Sequence, residues 1–504
     1  MSPEVVWSSV AVFGPLVAAM ISLLGGRRSI AVGLLLASAA SLAASVGLSL
    51  AVLEEGRVRH LLGGWGRPLG IELHVDGLSA VMLGTTAVVG SVVSLYSTAY
   101  FGDPTDPRVR ESPGGRSARY FAPLWLFLWS AMNGVFISGD LFNLYVMMEI
   151  LGLAAAALVT LAVTRKATVA GIRYLFVSLA GSMLFLMGVA LLYAEYGTLA
   201  LEDLAAADPS GPGAAWALAA MTAGLAAKTA LFPLHAWLPP AHAGAPAPGS
   251  AILSALVVKA SFYIVVRLWL HVFGLAIPGT DASSALVLLG LLGSLAVVWG
   301  SLLALRQTSL KRLIAYSTVA QLGYLFVMFP LLAGGAAGEG TWNQNAWNGG
   351  MYHAISHALA KGAMFLAAGS MSYAVADDAV RSTSGVAHRL PMSFLAFGLA
   401  GLSLAGVPPS GGFLAKWLLL TASVESGQWL WTIVVAVGGL LTLAYILLVG
   451  RYALEVKETP EAFRPVPRRM EWSAMILALL AVLLGVRGTE ILGLLDAGGL
   501  APWS

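Results

Sequence analysis

Two lysines stand inside a stretch of the chain that is otherwise apolar enough to lie in a lipid bilayer. Residues 223–263 contain Lys228 and Lys259, and a proline-broken connection between them carries His235 and His242. A charged side chain at the centre of a membrane helix costs at least about 3 kcal/mol on insertion-based scales. Folding does not require such residues, so their positions indicate movement of protons or other ions. Both histidines are expected close to the inner end of this connection, and at least one of them only at the membrane interface.

A carboxylate in another apolar stretch is the natural partner for one of these lysines. Glu149 lies within such a stretch, and a carboxylate beside a lysine stabilises the charged form of both groups. Two plainer alternatives exist: an acid that only joins two helices, and a lysine whose ammonium extends to the membrane surface. Lys259 lies too deep in its stretch for that second explanation. Asp140 and Asn143, upstream of Glu149, are expected to be helix caps or surface groups.

A third group of ionisable residues shares one face of a predicted helix. His353, His357 and Lys361 are spaced at i, i+4 and i+8. Two histidines at this spacing suit zinc, but the phrase has no carboxylate or cysteine to complete a metal site. Histidine titrates near physiological pH, so a proton relay that ends at the lysine fits better. The prediction is therefore a relay without a metal or cofactor.

The composition indicates the elements that must position these side chains. Of the 504 residues, 58% are hydrophobic and 11% are charged, whereas soluble domains carry about 25% charged residues. The chain is therefore expected to be a single all-α membrane domain over residues 1–504, in contact with the lipid bilayer. A net charge of +3 is too small to suggest nucleic-acid binding, and the absence of cysteine excludes iron–sulfur ligation within this chain.

Fourteen stretches are candidates for transmembrane helices, because one span needs about 20 apolar residues. The twelfth is interrupted at residues 406–412 by Gly-Val-Pro-Pro-Ser-Gly-Gly, and adjacent prolines remove two amide donors, so this helix must break. Residues 54–76, which lie between spans and contain Gly-Gly and Arg-Pro breaks, are expected to form a short hairpin. The fourteen spans lie near residues 4–24, 30–53, 78–99, 120–138, 141–163, 170–194, 213–235, 248–270, 283–305, 312–333, 349–375, 391–425, 429–450 and 471–486.

The distribution of basic residues predicts the orientation. Nineteen of the 28 lysines and arginines fall in alternate loops, and the loops of membrane proteins that carry this excess face the cytoplasm. Both termini are therefore predicted on the outer side of the cell (inner) membrane. Five basic residues lie within spans instead: Lys228, Lys259, Arg267, Lys361 and Lys416.

Two of the predicted helices combine a buried lysine with a break. Lys228 precedes Pro233 by five residues, and Lys416 follows the interruption of the twelfth span by four. The two helices are five spans apart, so they cross the membrane in opposite directions, which is typical of inverted repeats. We expect helices 1–3 with their loops over 1–119, repeats of helices 4–8 over 120–270 and of helices 9–13 over 283–450, and helix 14 over 471–486.

Three phrases carry a resemblance to a known family. They are Lys228-Thr-Ala-Leu-Phe-Pro-Leu-His-Ala-Trp-Leu-Pro-Pro-Ala-His, Ser309-Leu-Lys-Arg-Leu-Ile-Ala-Tyr-Ser and Ala405-Gly-Val-Pro-Pro-Ser-Gly-Gly-Phe. The chain resembles the antiporter-like membrane subunits of respiratory complex I, membrane-bound hydrogenases and Mrp-type sodium/proton antiporters over nearly all fourteen spans. It is most similar to the Mrp D-type subunit, given the phrase Gly139-Asp-Leu-Phe-Asn-Leu-Tyr-Val, a lysine at 416, and an end soon after helix 14. Met147 and Met148 depart from the aromatic residues usual before the glutamate.

The resemblance implies a mechanism and partners. Glu149 and Lys228, followed by Lys259, the two helix-eleven histidines and Lys416, would form a charged axis along the membrane midplane. The chain would be a proton-translocating subunit of a hetero-oligomeric sodium/proton antiporter, with other membrane subunits as partners. The alternative is a redox-driven proton-pumping subunit of complex I or a hydrogenase, in which case it would belong to an NADH-quinone oxidoreductase. A structural anchor, with Lys228 and Glu149 as simple helix contacts, is a third hypothesis.

Overall fold

The computed structural model describes residues 3–24, 26–66, 70–102, 115–209, 211–275, 282–333, 341–455 and 463–498. Within these ranges, twelve helices are long and apolar enough to cross a membrane, or thirteen if one bent pair counts as a single span. The protein is therefore an all-α polytopic membrane protein, as the sequence predicts. Apolar side chains fill the interior of the bundle, while many leucines, valines and tryptophans on its outer surface remain exposed, as suits contact with lipid.

The helices begin and end close to the predicted spans. The first group contains α1 (Pro3–Leu23), α2 (Arg27–Glu55), α3 (Gly77–Tyr100), α4 (Gly115–Ile137), α5 (Leu141–Thr160), α6 (Arg165–Tyr196), α7a (Pro212–Thr229), α7b (Leu238–Gly244) and α8 (Ala247–Val272). The second group contains α9 (Ala282–Leu305), α10 (Leu310–Ala333), α11 (Thr341–Val375), α12a (Pro391–Ala405), α12b (Gly411–Glu425), α13 (Trp429–Leu454), α14 (Arg468–Leu483) and α15 (Gly488–Asp496).

The number of uninterrupted spans is lower than the predicted fourteen for a physical reason. The twelfth predicted span breaks into α12a and α12b of 15 residues each, and neither half alone is long enough to cross. The last predicted span is 16 residues long and is bent by 76° against α15. Both differences come from breaks that shorten individual helices, so the predicted segments are present but two of them are not straight spans.

Local capping explains several of these boundaries. Asp140 accepts a hydrogen bond from the Asn143 amide at 2.7 Å and begins α5, which confirms its predicted capping role. Ser410 does the same for α12b with the Phe413 amide, at 3.2 Å. The predicted hairpin is also present: β1 (Val58–Leu61) pairs antiparallel with β2 (Glu72–Val75).

The helices of the two predicted repeats pack in the same order. In the first, α4 contacts α5, α5 contacts α6, and α6 contacts α7a; in the second, α9, α10, α11 and α12b follow the same sequence of contacts. Small residues allow close approach, since a Cβ at Gly224 would lie 2.2 Å from the Gly181 carbonyl oxygen. This backbone contact between α6 and α7a fixes the end of α7a that carries Lys228. Helix α4 begins at Gly115, five residues before the predicted repeat boundary.

Helix α8 is the most enclosed span among those described. Every residue of its most apolar 18-residue stretch is buried, and its backbone is π-helical at Leu253–Val257 and Arg267–Val272. Such π segments shift the direction of the following side chains and are frequent at functional sites. Lys259 lies just after the first of them, near the middle of the helix.

Candidate functional site

The first part of the site is the pair that the sequence predicts between α5 and α7a. Lys228 lies in the last turn of α7a, and its Nζ is 3.8 Å from Oε1 of Glu149. This distance is too long for a hydrogen bond; the ammonium instead donates to Oγ of Ser178 at 3.0 Å. Oε1 of Glu149 accepts no hydrogen bond from another described residue. The pair is therefore a loose ion contact between a buried lysine and a partly exposed glutamate, and it can open without a hydrogen bond between its members being broken.

Lys259 has no carboxylate partner within the described ranges. Its Nζ donates to the Ser254 carbonyl oxygen at 2.5 Å, inside the π-helical segment one turn earlier. The side chain is 1% exposed, and among the described residues this carbonyl is the one hydrogen-bond acceptor of its ammonium. An ammonium in this position is costly and is well suited to giving up its proton.

The third lysine is held by α10. Nζ of Lys361 donates to the Ile314 carbonyl oxygen at 3.0 Å and to the Ser317 hydroxyl. Both acceptors belong to the phrase Ser309–Ser317 that the sequence resemblance singles out. Residues of that phrase therefore provide oxygen atoms that bind a buried ammonium.

A pair of hydroxyl groups lies between the backbone carbonyls that bind Lys259 and Lys361. Oγ of Ser254 lies 2.8 Å from Oγ1 of Thr318, and Thr318 donates to the same Ile314 carbonyl that accepts from Lys361. This connection joins α8 of the first predicted repeat to α10 and α11 of the second. Hydroxyl groups both donate and accept hydrogen bonds, so they can pass a proton onward. Ser254 and Thr318 were not predicted, because serine and threonine are common in membrane helices.

The two histidines of α11 lie on one face, as their spacing predicts. Their rings stack with centroids 5.8 Å apart, and Nε2 of His353 lies 3.1 Å from the Gln321 carbonyl oxygen. Neither ring nitrogen of His357 has a hydrogen-bond partner among the described residues, although the side chain is 1% exposed. In the described part of the chain, no group of three or more metal-ligating side chains is close enough together to hold a metal ion.

Lys416 completes the set in the second half of the broken twelfth helix. Its Nζ donates to the carbonyl oxygens of Leu404 at 2.7 Å and Ala405 at 3.4 Å, the last two residues of α12a. The Tyr324 ring lies 4.5 Å from the same nitrogen, in cation–π contact. Tyr324 also lies next to His353, with ring centroids 5.2 Å apart, so its ring is the neighbour that Lys416 and the histidine face share.

The connection between α7a and α8 buries both of its histidines within the protein. His242 is fully buried and His235 is 8% exposed. The chain after the break turns back into the bundle as α7b, which places His242 between the rings of Trp237 and Phe365. Both nitrogens of His242 lack hydrogen-bond partners among the described residues. This histidine therefore faces the interior, on the side of the bundle that holds Lys259 and Lys361.

A separate buried charge cluster fastens α8 to α3. Arg267 donates to both carboxylate oxygens of Asp76, at 2.5 and 2.6 Å, and to the hydroxyls of Ser79 and Tyr263 at 2.8 Å. Asp76 and Arg267 are 1% and 2% exposed. The sequence places Arg267 within a span, but it does not show that its partner lies 191 residues away. This cluster holds the helix that carries Lys259.

Helices that break beside buried lysines, arranged in two sets with the same packing order, define an antiporter-like membrane subunit. Residues 138–442 match the family described as NADH:quinone oxidoreductase/Mrp antiporter, transmembrane region. The chain belongs to this family, as its sequence phrases predict.

Three relatives illustrate its range. The N-type subunit of NADH-quinone oxidoreductase from Desulforudis audaxviator is 37% identical, and the match covers 96% of this chain and 94% of the relative. The D-type subunit of the Na(+)/H(+) antiporter from Alkalihalophilus pseudofirmus is 30% identical over 89% of this chain and 86% of its own length. In fold, the chain is similar to a chain in the structure of the Mrp complex from Dietzia sp. DQ12-45-1b, with a TM-score of 0.87, 24% identity and coverage of 100% and 98%.

Proposed function

We propose that the chain carries protons along its buried basic residues as one membrane subunit of a multisubunit, Mrp-type sodium/proton antiporter. The observation that supports this function best is the pair of hydroxyl groups, of Ser254 and Thr318, that lies between the carbonyls bound by Lys259 and Lys361. It provides a polar route between the two predicted repeats where an apolar core would suffice for folding. The partners are other membrane subunits, and the transported ions are protons and sodium.

The proposed path begins at the ion pair. When Lys228 separates from Glu149, the carboxylate no longer stabilises the ammonium, and the proton can leave. It passes to Lys259, crosses through the hydroxyl groups of Ser254 and Thr318 to Lys361, and continues along the histidine face of α11. His357 and His353 accept and release it through nitrogens that have no fixed partner among the described residues. Lys416 is the last group of the path.

Exchange against sodium is supported by two observations. The 30% identical relative from Alkalihalophilus pseudofirmus is named as a sodium/proton antiporter subunit. The twelfth helix also ends the axis with a lysine, bound by two helix-end carbonyls, rather than with a carboxylate. In this proposal the chain itself is not an enzyme, and both termini lie on the outer side of the cell membrane.

A second candidate function is redox-driven proton pumping. It is favoured by the 37% identical relative, which is named as an NADH-quinone oxidoreductase subunit. In that case the proton path within this chain is the same, and electron transfer takes place in other subunits, because this chain has no cysteine for iron–sulfur clusters. The two candidates differ in the source of energy.

Vesicles that contain the complete complex distinguish them. A pH-sensitive dye inside the vesicles reports proton movement after addition of sodium, and after addition of NADH and a quinone. Sodium-dependent proton movement without electron donors is expected. Proton movement that requires electron donors and ignores sodium would refute the antiporter and support the second candidate.

The axis is tested by substitution. Glu149→Gln, Lys228→Ala and Lys416→Ala are each expected to remove most proton movement while the complex still assembles, because each interrupts the path without a large change in packing. Arg487→Gln, at an exposed position outside the axis, is the matched loss of positive charge and should transport normally. Wild-type rates in the Lys228 variant would show that the path runs elsewhere.

A further inference from the structure

A cavity of about 400 Å³ lies between helices α2, α3 and α4, at the end of the bundle where α2 and α14 begin. This volume is within the range of about 300–1,000 Å³ that is usual for ligand pockets. The floor of the cavity is buried, since Leu34, Ser94 and Phe121 are each at most 4% exposed. Its rim contains Leu35 and Leu95, which are 69% and 41% exposed. The cavity therefore opens sideways, toward the lipid-facing surface of the bundle.

The cavity is as deep as one leaflet of a bilayer. On α2 its lining runs from Arg27 to Ser38, eleven residues further along the helix. At a rise of about 1.5 Å per residue, this distance is about 16 Å. On the α3 side the lining runs from Phe101 back to Ser91, over a similar length. The hydrocarbon core of a bilayer is about 30 Å thick, so each leaflet contributes about 15 Å.

The deep part of the cavity suits an apolar chain. The hydroxyls of Ser38, Ser91 and Ser97 each donate to a backbone carbonyl three or four residues earlier in the same helix, at 2.7–2.8 Å. These side chains therefore do not need a polar ligand as a partner. Leucine, isoleucine, alanine and phenylalanine side chains form most of the remaining wall. An acyl chain can lie against such a wall without leaving a polar group unsatisfied.

The mouth of the cavity is positively charged. Arg27 of α2 and Arg469 of α14 line it, and both side chains are exposed. Among the described residues that line the cavity, none is acidic. Each arginine lies in the first turn of its helix, where the helix dipole adds positive potential. Arginine binds phosphate oxygens through strong, charge-assisted hydrogen bonds, so this mouth suits a phosphate group.

We propose that the cavity binds one anionic phospholipid, with its phosphate at Arg27 and Arg469 and one acyl chain along α2 and α3. We call this cavity the α2–α3 lipid site. A soluble anion would leave the long apolar wall unused, and a zwitterionic lipid would bring a second cation to the two arginines. A phospholipid with a net negative charge matches both parts of the cavity. The proposal does not depend on which ions the chain transports.

The predicted orientation agrees with this ligand. The loop before Arg27 and the segment before Arg469 both belong to the set of loops predicted to face the cytoplasm. The cytoplasmic leaflet carries a negative surface potential from its anionic lipids, and basic pockets between membrane helices on this side bind anionic headgroups. The phosphate would also connect the second helix of the chain with α14, which packs against α3.

The experiment places the purified complete complex in phosphatidylcholine vesicles that contain a small fraction of phosphatidylglycerol with a photoactivatable diazirine in one acyl chain. After illumination, mass spectrometry locates the labelled residues. In the wild type, this probe should label the cavity residues of α2 and α3 about fivefold more than a phosphatidylcholine probe with the same diazirine, because the arginines attract net negative charge. Excess inorganic phosphate should leave the labelling unchanged.

Three variants locate the two parts of the site. Arg27→Gln combined with Arg469→Gln should lower labelling by the phosphatidylglycerol probe to the level of the phosphatidylcholine probe. Arg28→Gln combined with Arg468→Gln is the matched control, because these neighbouring arginines are exposed but do not line the cavity, and it should behave as wild type. Ser91→Phe fills the deep end and should remove labelling there by both probes while the arginines are unchanged.

Four results would overturn the α2–α3 lipid site. Equal labelling by the two probes in the wild type would show that any acyl chain enters without recognition of its headgroup. An equal loss in both pairs of arginine variants would show that general surface charge attracts the probe. Competition by inorganic phosphate would show a site for soluble anions. Cavity residues that neither probe labels would show that another subunit of the complex covers this surface.

Discussion

The ion pair between Asp76 and Arg267 provides a test of the fold that does not depend on function. Replacing Asp76 by Asn removes the negative charge but keeps an oxygen atom that can cap α3, where Asp76 now accepts from the Ser79 amide at 3.0 Å. The guanidinium of Arg267 then remains buried, 2% exposed, without its counter-charge. The variant thus isolates the cost of an unpaired buried charge.

The expected loss follows from the geometry of the pair. Two charge-assisted hydrogen bonds, at 2.5 and 2.6 Å, connect the two side chains, and bonds of this kind contribute about 1.5–3 kcal/mol each. Removal of one member of a buried ion pair costs about 3–5 kcal/mol in comparable cases. We therefore expect Asp76→Asn to lower the free energy of unfolding by about 3–5 kcal/mol.

The pH dependence has a definite sign. Burial alone raises the pKa of Asp76, but Arg267 and His74 outweigh it and hold the pKa well below its usual value of 3.8. An acid whose pKa is lowered on folding stabilises the folded state above its unfolded pKa, and this contribution is lost as the pH falls. The difference between wild type and Asp76→Asn should be constant from about pH 5 to pH 8 and narrow below about pH 4.

The assay is unfolding by SDS titration in mixed lipid–detergent micelles, followed by tryptophan fluorescence. The control adds Arg267→Met to Asp76→Asn, so that neither charge remains. This double variant should recover most of the lost stability, because an apolar replacement of a buried pair is often close to neutral. A single variant within about 0.5 kcal/mol of wild type, or a double variant as unstable as the single one, would refute the reasoning.

Three further substitutions test other contacts. Ser178→Ala removes the hydroxyl that lies 3.0 Å from Lys228 Nζ and should lower the initial rate of proton movement in vesicles. Assembly, measured by size-exclusion chromatography, should not change. An unchanged rate would show that this hydrogen bond has no role in transport. Gly438→Ala would place a Cβ 2.3 Å from the Tyr324 hydroxyl, so the SDS titration should show a loss of about 1–3 kcal/mol, and wild-type stability would contradict the packing. Arg487→Gln breaks an exposed ion pair and should leave the midpoint of the SDS titration unchanged, because exposed pairs contribute little. A clear shift of the midpoint would contradict the exposure of this pair.

The fold is largely predictable because the membrane imposes simple rules. The length and polarity of apolar stretches predict most helix ends to within a few residues, and Gly-Gly with Arg-Pro between spans predicts the hairpin. The twelfth helix breaks where two prolines remove amide donors. The π-helical segments of α8 were not predictable. This helix is packed on all sides, and the sequence pattern of one helix does not show its contacts with the others.

The site is predictable only in part. Charged residues in apolar stretches stand out, so Glu149 and the buried lysines were found, and the loose contact of Glu149 with Lys228 has the expected partners. The oxygen atoms around the other lysines were not found, because they are backbone carbonyls and common hydroxyl residues such as Ser254 and Thr318. The proline-rich phrase around His242 does not reveal that α7b packs into the bundle and buries this histidine.

The central position of the buried lysines has an electrical consequence. Lys259 has twelve residues of α8 before it and thirteen after it, and Lys361 likewise lies well inside α11. In the proposed path, protons move between these groups parallel to the membrane plane. The membrane voltage does little work on a charge that moves in this direction. The full cost of about 2.3 kcal/mol per charge at 100 mV then falls on the entry and exit steps. Membrane voltage should therefore act on proton uptake and release, and leave transfer between Lys259 and Lys361 nearly unaffected.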